Sequence, residues 1–343
     1  MISIKEIVTE AEYKPREVCD SVPLPQTWWY GEAQVKRGRQ VKRFALFRDN
    51  EIKGYVQWIA YPLVSTLSYW YAPYGPVMAS PDREILIALR DKFKSLEEDN
   101  GIVFIRFDFF PALSGEMTDT ASKIFTRSSK TASSGSYYQP RYEWYTDIKE
   151  SEDTIIMAMH QKTRYSVRLA EKKGVTTSVV SGKDLSSHLS SFLDLMKKTA
   201  KRNQFTLHDD FYYKTFFEEV AERGNGFLIE ASLSGELLAS HLVIVEGDVA
   251  HYVFGGTSDT KKEICAPFLA HFNGMKEAKL LGAKYYNFGG INEAGSAPHW
   301  EGVTAFKKRF GGHVVAHSEY FDVVIRPFWY HLYNFRKFIK RFI

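Results

Sequence analysis

Apolar and polar positions along this chain change period several times, and the changes mark its elements. Residues 43–48 (RFALFR) form a predicted strand ending in the turn DNE. Residues 52–61 (IKGYVQWIAY) alternate, and 66–74 (TLSYWYAPY) carry the aromatic and β-branched side chains that half-buried strands favour. In 82–99, apolar residues at 85, 86, 89, 93 and 96 share one helical face, with Asp82 as the cap. After Gly101, VFIRFD (103–108) has the unbroken apolar character of a buried strand.

The second half repeats this order. FLIEASL (227–233), the turn SGE, LLASHLVIV (237–245), the turn EGD and VAHYVFGG (249–256) give three hairpin-linked strands. A helix over 266–281, closed by Gly282, leads into the buried strand KYYNFGG (284–290). Strand–strand–strand–helix–strand therefore occurs twice, and a duplicated order is far harder to reach by chance than a single copy. It is the order of the N-acetyltransferase (GNAT) fold, so the fold class is α/β with mixed sheets, two tandem GNAT-like acyltransferase domains.

Between the repeats, 113–136 is Ser/Thr/Gly-rich, a surface segment with a short helix. YQPRYEWYTDI (138–148) is an extended crossover, and a helix over 151–173 opens the second domain. The tail from 326 is helical in pattern after Pro327 and is expected to fold back on the first domain. This predicts one domain from 1–148 plus 320–343 and another from 149–319.

Composition narrows the class. With 343 residues, 44% hydrophobic and 25% charged, the chain is an ordinary globular protein of about two domains. No apolar run approaches the roughly 20 residues of a membrane span. The start MISIKEIVTEAEYK lacks the apolar core of a secretory signal, and Cys19 and Cys265 stand far apart, so a reducing cytoplasm is expected. No metal-ligand spacing occurs and no cofactor is called for. Net charge is only +4, so an anionic partner has to be met by local patches. Aromatics reach 15%, more than two cores require.

Three segments carry candidate chemistry. HQKTRYSVRLAEKKGV (160–175) places Lys162, Arg164, Arg168 and Lys172 together, the last three in four-residue steps on one face, while Tyr165, Leu169 and Met157 or Ala158 are expected to face the core. A solvated helix face has the same look, but a phosphate backbone is slightly favoured. In 285–312, a strand ends in Gly-Gly and a small-residue loop leads to Phe306, Lys307, Lys308 and Arg309. One lysine beside a ring at a cleft suits a developing oxyanion or a phosphate, and surface lysines at a helix start fit equally well. The tail holds five Lys/Arg and no acid after Asp322, interleaved with Phe328, Trp329, Tyr330, Tyr333, Phe335, Phe338 and Phe342. Packing on the first domain, membrane-surface contact and RNA stacking all fit it. No Gx4GK[ST], GxGxxG, HExxH or GxSxG occurs. The loop GGTSDTKKEICAP lacks the glycine spacing with which GNAT enzymes cradle coenzyme A, which argues against acetyl-CoA as donor.

HQKTRYSVRLAEKKGV, the tandem repeat, YYNFGGI and the closing WEGVTAFKKRFGG together resemble the FemABX family of non-ribosomal peptidyl transferases over nearly the whole chain. Residues 174–226 leave no room for the long helical arm of some members, so the resemblance is to the compact form. It implies transfer of an amino acid from aminoacyl-tRNA to the stem-peptide amine of a peptidoglycan precursor, nucleotide- or lipid-linked. Domain one would be completed by the C-terminal segment, with the precursor in the cleft. The resemblance implies Lys36, Thr206, His208, Tyr212 and Tyr252 as precursor contacts, with His208 departing from the usual arginine. It implies Phe306 and Lys307 in transfer, Asp108 as general base, and, with the basic helix, Lys162, Arg164, Arg168, Lys172 and Lys308 on the tRNA side. A monomer is expected, cytoplasmic and peripheral to the inner membrane face. Aminoacyl transfer to a protein, and a non-catalytic RNA- or envelope-binding protein on this fold, are the alternatives.

Overall fold

A computed structural model describes residues 1–95, 101–128, 139–292 and 300–339. In chain order its elements begin with β1 (Ile2–Ile7), α1 (Trp28–Lys36), β2 (Val41–Arg48), β3 (Glu51–Val64), β4 (Leu67–Ala72) and β5 (Val77–Met78). They continue through α2 (Arg83–Lys94), β6 (Ile102–Phe107), α3 (Gly115–Ile124), β7 (Thr126–Arg127), β8 (Tyr142–Asp147), α4 (Glu152–Ala158) and α5 (Gln161–Lys172). Then come β9 (Thr176–Ser181), α6 (Leu185–Asn203), α7 (Asp210–Arg223), β10 (Gly226–Leu233), β11 (Glu236–Glu246) and β12 (Val249–Thr257). The chain ends through α8 (Ala266–Leu280), β13 (Tyr285–Gly290), α9 (Glu301–Lys308), β14 (His313–Ala316), β15 (Phe321–Val324) and α10 (Pro327–Ile339). It divides into two compact units, residues 1–141 with 316–343, and 142–315.

The first sheet runs β1-β2-β3-β4-β6-β15-β7, with β5 paired to β3, and the second runs β14-β8-β13-β12-β11-β10-β9. Both hold the same repeat: β2-β3-β4-α2-β6 and β10-β11-β12-α8-β13. In each the third strand lies parallel to the last, β4 to β6 and β12 to β13, because a helical crossover separates them. In each, a strand from outside the repeat pairs antiparallel to the last one, β15 on β6 and β8 on β13. The first unit therefore ends at Arg141 rather than 148, since Tyr142–Asp147 pairs in the second sheet. The chain re-enters the first unit at Ala316, ahead of the expected 320.

The first unit buries rings on both sides of its sheet. On one side α2, capped by Asp82, inserts Ile85, Leu86, Leu89 and Phe93. Phe93 meets Trp58 at 4.0 Å edge-on and Phe107 at 5.3 Å. On the other side α10 brings Tyr330 to 5.2 Å from Phe104, which stacks on Tyr69 at 4.9 Å. Buried Arg106 donates twice to Asp322 of β15, at 2.8 and 2.7 Å, and Tyr330 donates to the same carboxylate. The tail thus completes the first unit, and its excess rings are the reason.

In the second unit Phe227, Ile229 and Ala231 of β10 share a core with α5 and α8, while Glu230 on the opposite face binds His188 of α6. Helix α6 crosses β12 at Gly256, where a Cβ would lie 2.6 Å from the Leu195 backbone. Two readings of the sequence change here. The helix expected over 151–173 is two helices, because Met159 and His160 are extended and His160 caps α5. Tyr165 and Met157 are exposed, and the core face of α5 is Thr163, Val167 and Ala170. β1, β9, α1, α6 and α7 had no counterpart in the sequence reading. Part of the 113–136 segment, residues 293–299 of the expected small-residue loop, and the side chains of Phe338 and Phe342 lie outside the described residues.

Candidate active site

Helix α9 presents the Phe306–Lys307 pair, and four anchors fix it within the second unit. Thr304 Oγ1 accepts from the Asn292 amide at 2.9 Å. Phe306 packs on Phe268 at 5.0 Å and Phe310 at 5.2 Å. The Arg309 carbonyl accepts from His160, joining α9 to the start of α5. The Gly311 carbonyl accepts from Trp144 Nε1 at 2.8 Å and Thr146 Oγ1 at 2.7 Å.

With α9 so held, Lys307 Nζ donates to the Gly290 carbonyl at 2.5 Å, at the end of β13. The side chain is part-buried, and burial brings the ammonium from 10.5 down to about 8. Glu143 of β8 opposes that shift from a distance. Strands β12 and β13 pair only from Val249↔Tyr285 to His251↔Asn287 and then part. Tyr252 sits at the parting point on β12, and Gly289 faces it on β13. Gly289 has φ +74, and a Cβ there would lie 3.8 Å from Lys307 Nζ and 4.0 Å from the Tyr252 carbonyl. Lys307, Tyr252 and the Gly-Gly backbone therefore border one spot.

Beneath it lies a polar cluster that the sequence reading missed. Tyr252 packs against His241 at 5.1 Å and His271 at 4.7 Å, and the two imidazoles lie 4.1 Å apart. His271 Nδ1 is 3.3 Å from the Tyr286 hydroxyl, whereas both His241 ring nitrogens are buried without a partner. Burial pushes His241 down to about 3, and burial, His241 and Lys307 together push His271 well down. Both are neutral at pH 7. Beside them Asn287 donates to Glu143 Oε2 and the Tyr145 hydroxyl, both at 3.1 Å, and its own oxygen accepts from Gly289 N at 2.7 Å. This holds the Gly-Gly turn rigid.

The remaining expected residues fall in three places. On α5, Lys162, Arg168 and Lys172 are exposed, but Arg164 turns inward to the carbonyls of Met157 (3.1 Å) and Met159 (2.6 Å), closing the end of α4. Tyr165, 66% exposed, stands among the outward cations. Lys308 lies 5.8 Å over the Trp144 ring. On the α6–α7 connection Thr206 and His208 are exposed, and the His208 ring packs 4.0 Å from that of Tyr212. In the first unit Lys36 is exposed in the last turn of α1. Arg43 holds that helix, lying 3.6 Å over the Trp28 ring and bonding the Trp28 carbonyl and Glu32.

Asp108, expected as the general base, is sealed in the first unit. Its oxygens accept from the Tyr71 hydroxyl at 2.8 Å and the Tyr74 amide at 2.5 Å, holding Tyr74 at φ 51. Burial raises its carboxyl well above the usual range, against those hydrogen bonds. The geometry makes it a clamp on the Tyr74–Gly75 turn.

The FemAB family model matches residues 23–234 and 227–337. The chain belongs to the FemAB family. A similar protein, a lipid II:glycine glycyltransferase of Staphylococcus aureus (strain MRSA252), is 24% identical over 384 aligned positions, covering 90% of this chain and 89% of the relative. The crystal structure of FemX superposes with a TM-score of 0.81 at 21% identity, covering 96% of this chain and 99% of that one. A tandem GNAT protein from the clavulanic acid pathway gives a TM-score of 0.57 at 10% identity, covering 95% and 99%. Both carry the fold, and the doubled GNAT-like architecture of this FemAB chain is thereby established.

Proposed function

We propose that this FemAB protein is an aminoacyltransferase that moves an amino acid from aminoacyl-tRNA to the stem-peptide amine of a peptidoglycan precursor, building an interpeptide bridge. Family membership and the lipid II glycyltransferase relatives support the acyl-transfer class and the precursor as acceptor. The observation that carries the reading at the level of residues is Lys307: a part-buried ammonium beside a Gly-Gly turn, where strands β12 and β13 part.

The donor is an ester, already reactive toward amines, so alignment and charge stabilisation supply most of the acceleration. The neutral acceptor amine attacks the ester carbonyl carbon. Lys307 faces the oxyanion that develops, its second and third N–H groups left for substrate while Gly290 holds the first. The tetrahedral intermediate collapses, the bond to the terminal ribose oxygen breaks, and that oxygen takes the proton released from nitrogen. Phe306 orients the lysine and borders the tRNA end. Lys162, Arg168, Lys172 and Lys308 hold acceptor-arm phosphates, with Tyr165 as a stacking surface. Arg164 shapes that surface through α4. Lys36, Thr206, His208, Tyr212 and Tyr252 contact the precursor, and Asp108 positions its turn while solvent takes the amine's first proton. The protein works as a monomer in the cytoplasm, without a cofactor, at the membrane's inner face.

A changed acceptor, such as a protein amine, is the second reading. His208 favours it, since an imidazole lacks the bidentate fork with which arginine holds a diphosphate. Charged tRNA offered with nucleotide-linked precursor, lipid-linked precursor and a protein acceptor tests both. Mass gained on a precursor supports the first reading, and mass gained only on protein supports the second. Gain on none of them leaves a non-catalytic binding protein.

A further inference from the structure

Helix α10 has two apolar faces, and among the described residues only one is covered. Trp329, Tyr330 and Tyr333 pack into the first unit. On the opposite side Phe328, Leu332, Phe335 and Ile339 recur at steps of four, three and four, within one narrow stripe. They are 72%, 37%, 59% and 39% exposed. A solvent-facing stripe of four large apolar side chains on one short helix is not what a soluble surface carries. Arg336 flanks it, and from Val323 to the last residue the sequence has five Lys/Arg and no acidic side chain.

We propose that this outward face of α10 is a docking surface for an anionic lipid bilayer, with the helix lying in the plane of the headgroups. The chemistry selects the occupant. Four apolar side chains along a helix axis parallel to the surface can all enter the headgroup–acyl boundary together, while the flanking cations meet lipid phosphates. A second copy of the chain would set this cationic segment against itself, and like-charge contact opposes that pairing. The helix need not move to dock, because Arg106, Asp322 and Tyr330 already pin its inner side. Docking deepens the proposed reading, since it would bring the enzyme to a lipid-linked acceptor, yet the vesicle test below needs neither substrate nor activity. Its failure is thus separable from failure of the aminoacyl-transfer reading.

The test is flotation of the full chain with phosphatidylglycerol-containing vesicles and with vesicles of phosphatidylcholine alone. The protein is expected to float with the anionic vesicles, at least about tenfold less with the neutral ones, and to be released by high salt. Phe328→Ser with Phe335→Ser should lower partition by at least about tenfold at an unchanged melting temperature. Leu332→Glu gives the same readout should the double variant melt early. Transfer to a water-soluble acceptor should be unaffected by any of these. Wild-type protein that stays free of anionic vesicles at low salt overturns the proposal, as do variants that bind like wild type. A concentration-dependent dimer abolished by Phe328→Ser with Phe335→Ser assigns the face to a second copy. tRNA binding lost in those variants assigns it to RNA. Either result overturns the proposal.

Discussion

Replacing Lys307 by Met separates its proposed catalytic use from its cost to the fold. In the unfolded chain the amine titrates at 10.5 and in the folded one at about 8. At neutral pH the folded protein therefore holds a charged lysine against a difference of 10.5 − 8 = 2.5 pKa units, about 3 kcal/mol at about 1.4 kcal/mol each. Between pH 8 and 10.5 the unfolded state binds the extra proton, so stability rises with pH across that window. Lys307→Met removes the penalty and also the bond to Gly290, so it should stabilise the protein by about 1–3 kcal/mol at pH 7 in urea denaturation. The same change should cut turnover by about 100-fold or more, as loss of an oxyanion donor does. The pH profile distinguishes charge from shape. Lys307 is about nine-tenths protonated at pH 7 and about one-tenth at pH 9. An alkyl-amine acceptor with pKa about 10 gains neutral form about tenfold per unit over that range. In wild type the two trends cancel above pH 8, so the rate climbs to pH 8 and then levels. In Lys307→Met the lower rate keeps climbing to about pH 10, once ester hydrolysis in enzyme-free tubes is subtracted. A bend near pH 8 that persists in Lys307→Met, or wild-type turnover in that variant, would refute the reasoning.

His241→Leu should flatten the acid limb of stability. A neutral buried imidazole with folded value about 3 gives stability that is present above 6.5 and lost as pH falls, about 2 kcal/mol by pH 5. Urea curves at pH 7 and pH 5 read it, and an equal drop in the variant would show that His241 is not the group responsible. Asp322→Ala leaves Arg106 charged and buried without its carboxylate, so it should destabilise by about 3–5 kcal/mol in calorimetry or denaturation; a loss below about 1 kcal/mol would contradict the pinning of the tail. Arg168→Ala should weaken tRNA binding and lower the salt slope by about 1, whereas Arg164→Ala should lower the melting temperature instead. An unchanged slope for Arg168→Ala returns α5 to an ordinary solvated face.

The doubled strand–strand–strand–helix–strand order was legible because each hairpin writes its own turn and each strand its own alternation. β15 was not, since four residues (FDVV) find their partner β6 more than two hundred positions away. The face of α5 was misread because it packs close against α8 through Thr163, Val167 and Ala170, of which Val167 alone carries a strong hydrophobic signal. Rows of aromatics in DFYYKTFFEEVAER disguised the amphipathic period of α7. At the site, Phe306 and Lys307 were visible as a motif, and the structure adds the surroundings of the lysine: the Gly-Gly turn and the parting strands border its ammonium. Glu143, Asn287, His241 and His271 come from four separate elements, and nothing local to any of them marks the cluster. Arg164 and Asp108 show the opposite limit. A basic residue on a basic helix and an acid at a strand end looked available for chemistry, yet backbone groups that needed partners had already engaged them.

The most direct measurement is the mass of the acceptor after incubation with charged tRNA. A lipid-linked or nucleotide-linked precursor should gain one aminoacyl residue in amide linkage, dependent on intact tRNA and lost in Lys307→Met. A precursor whose mass does not change, with protein that is folded and tRNA that is charged, would contradict the account.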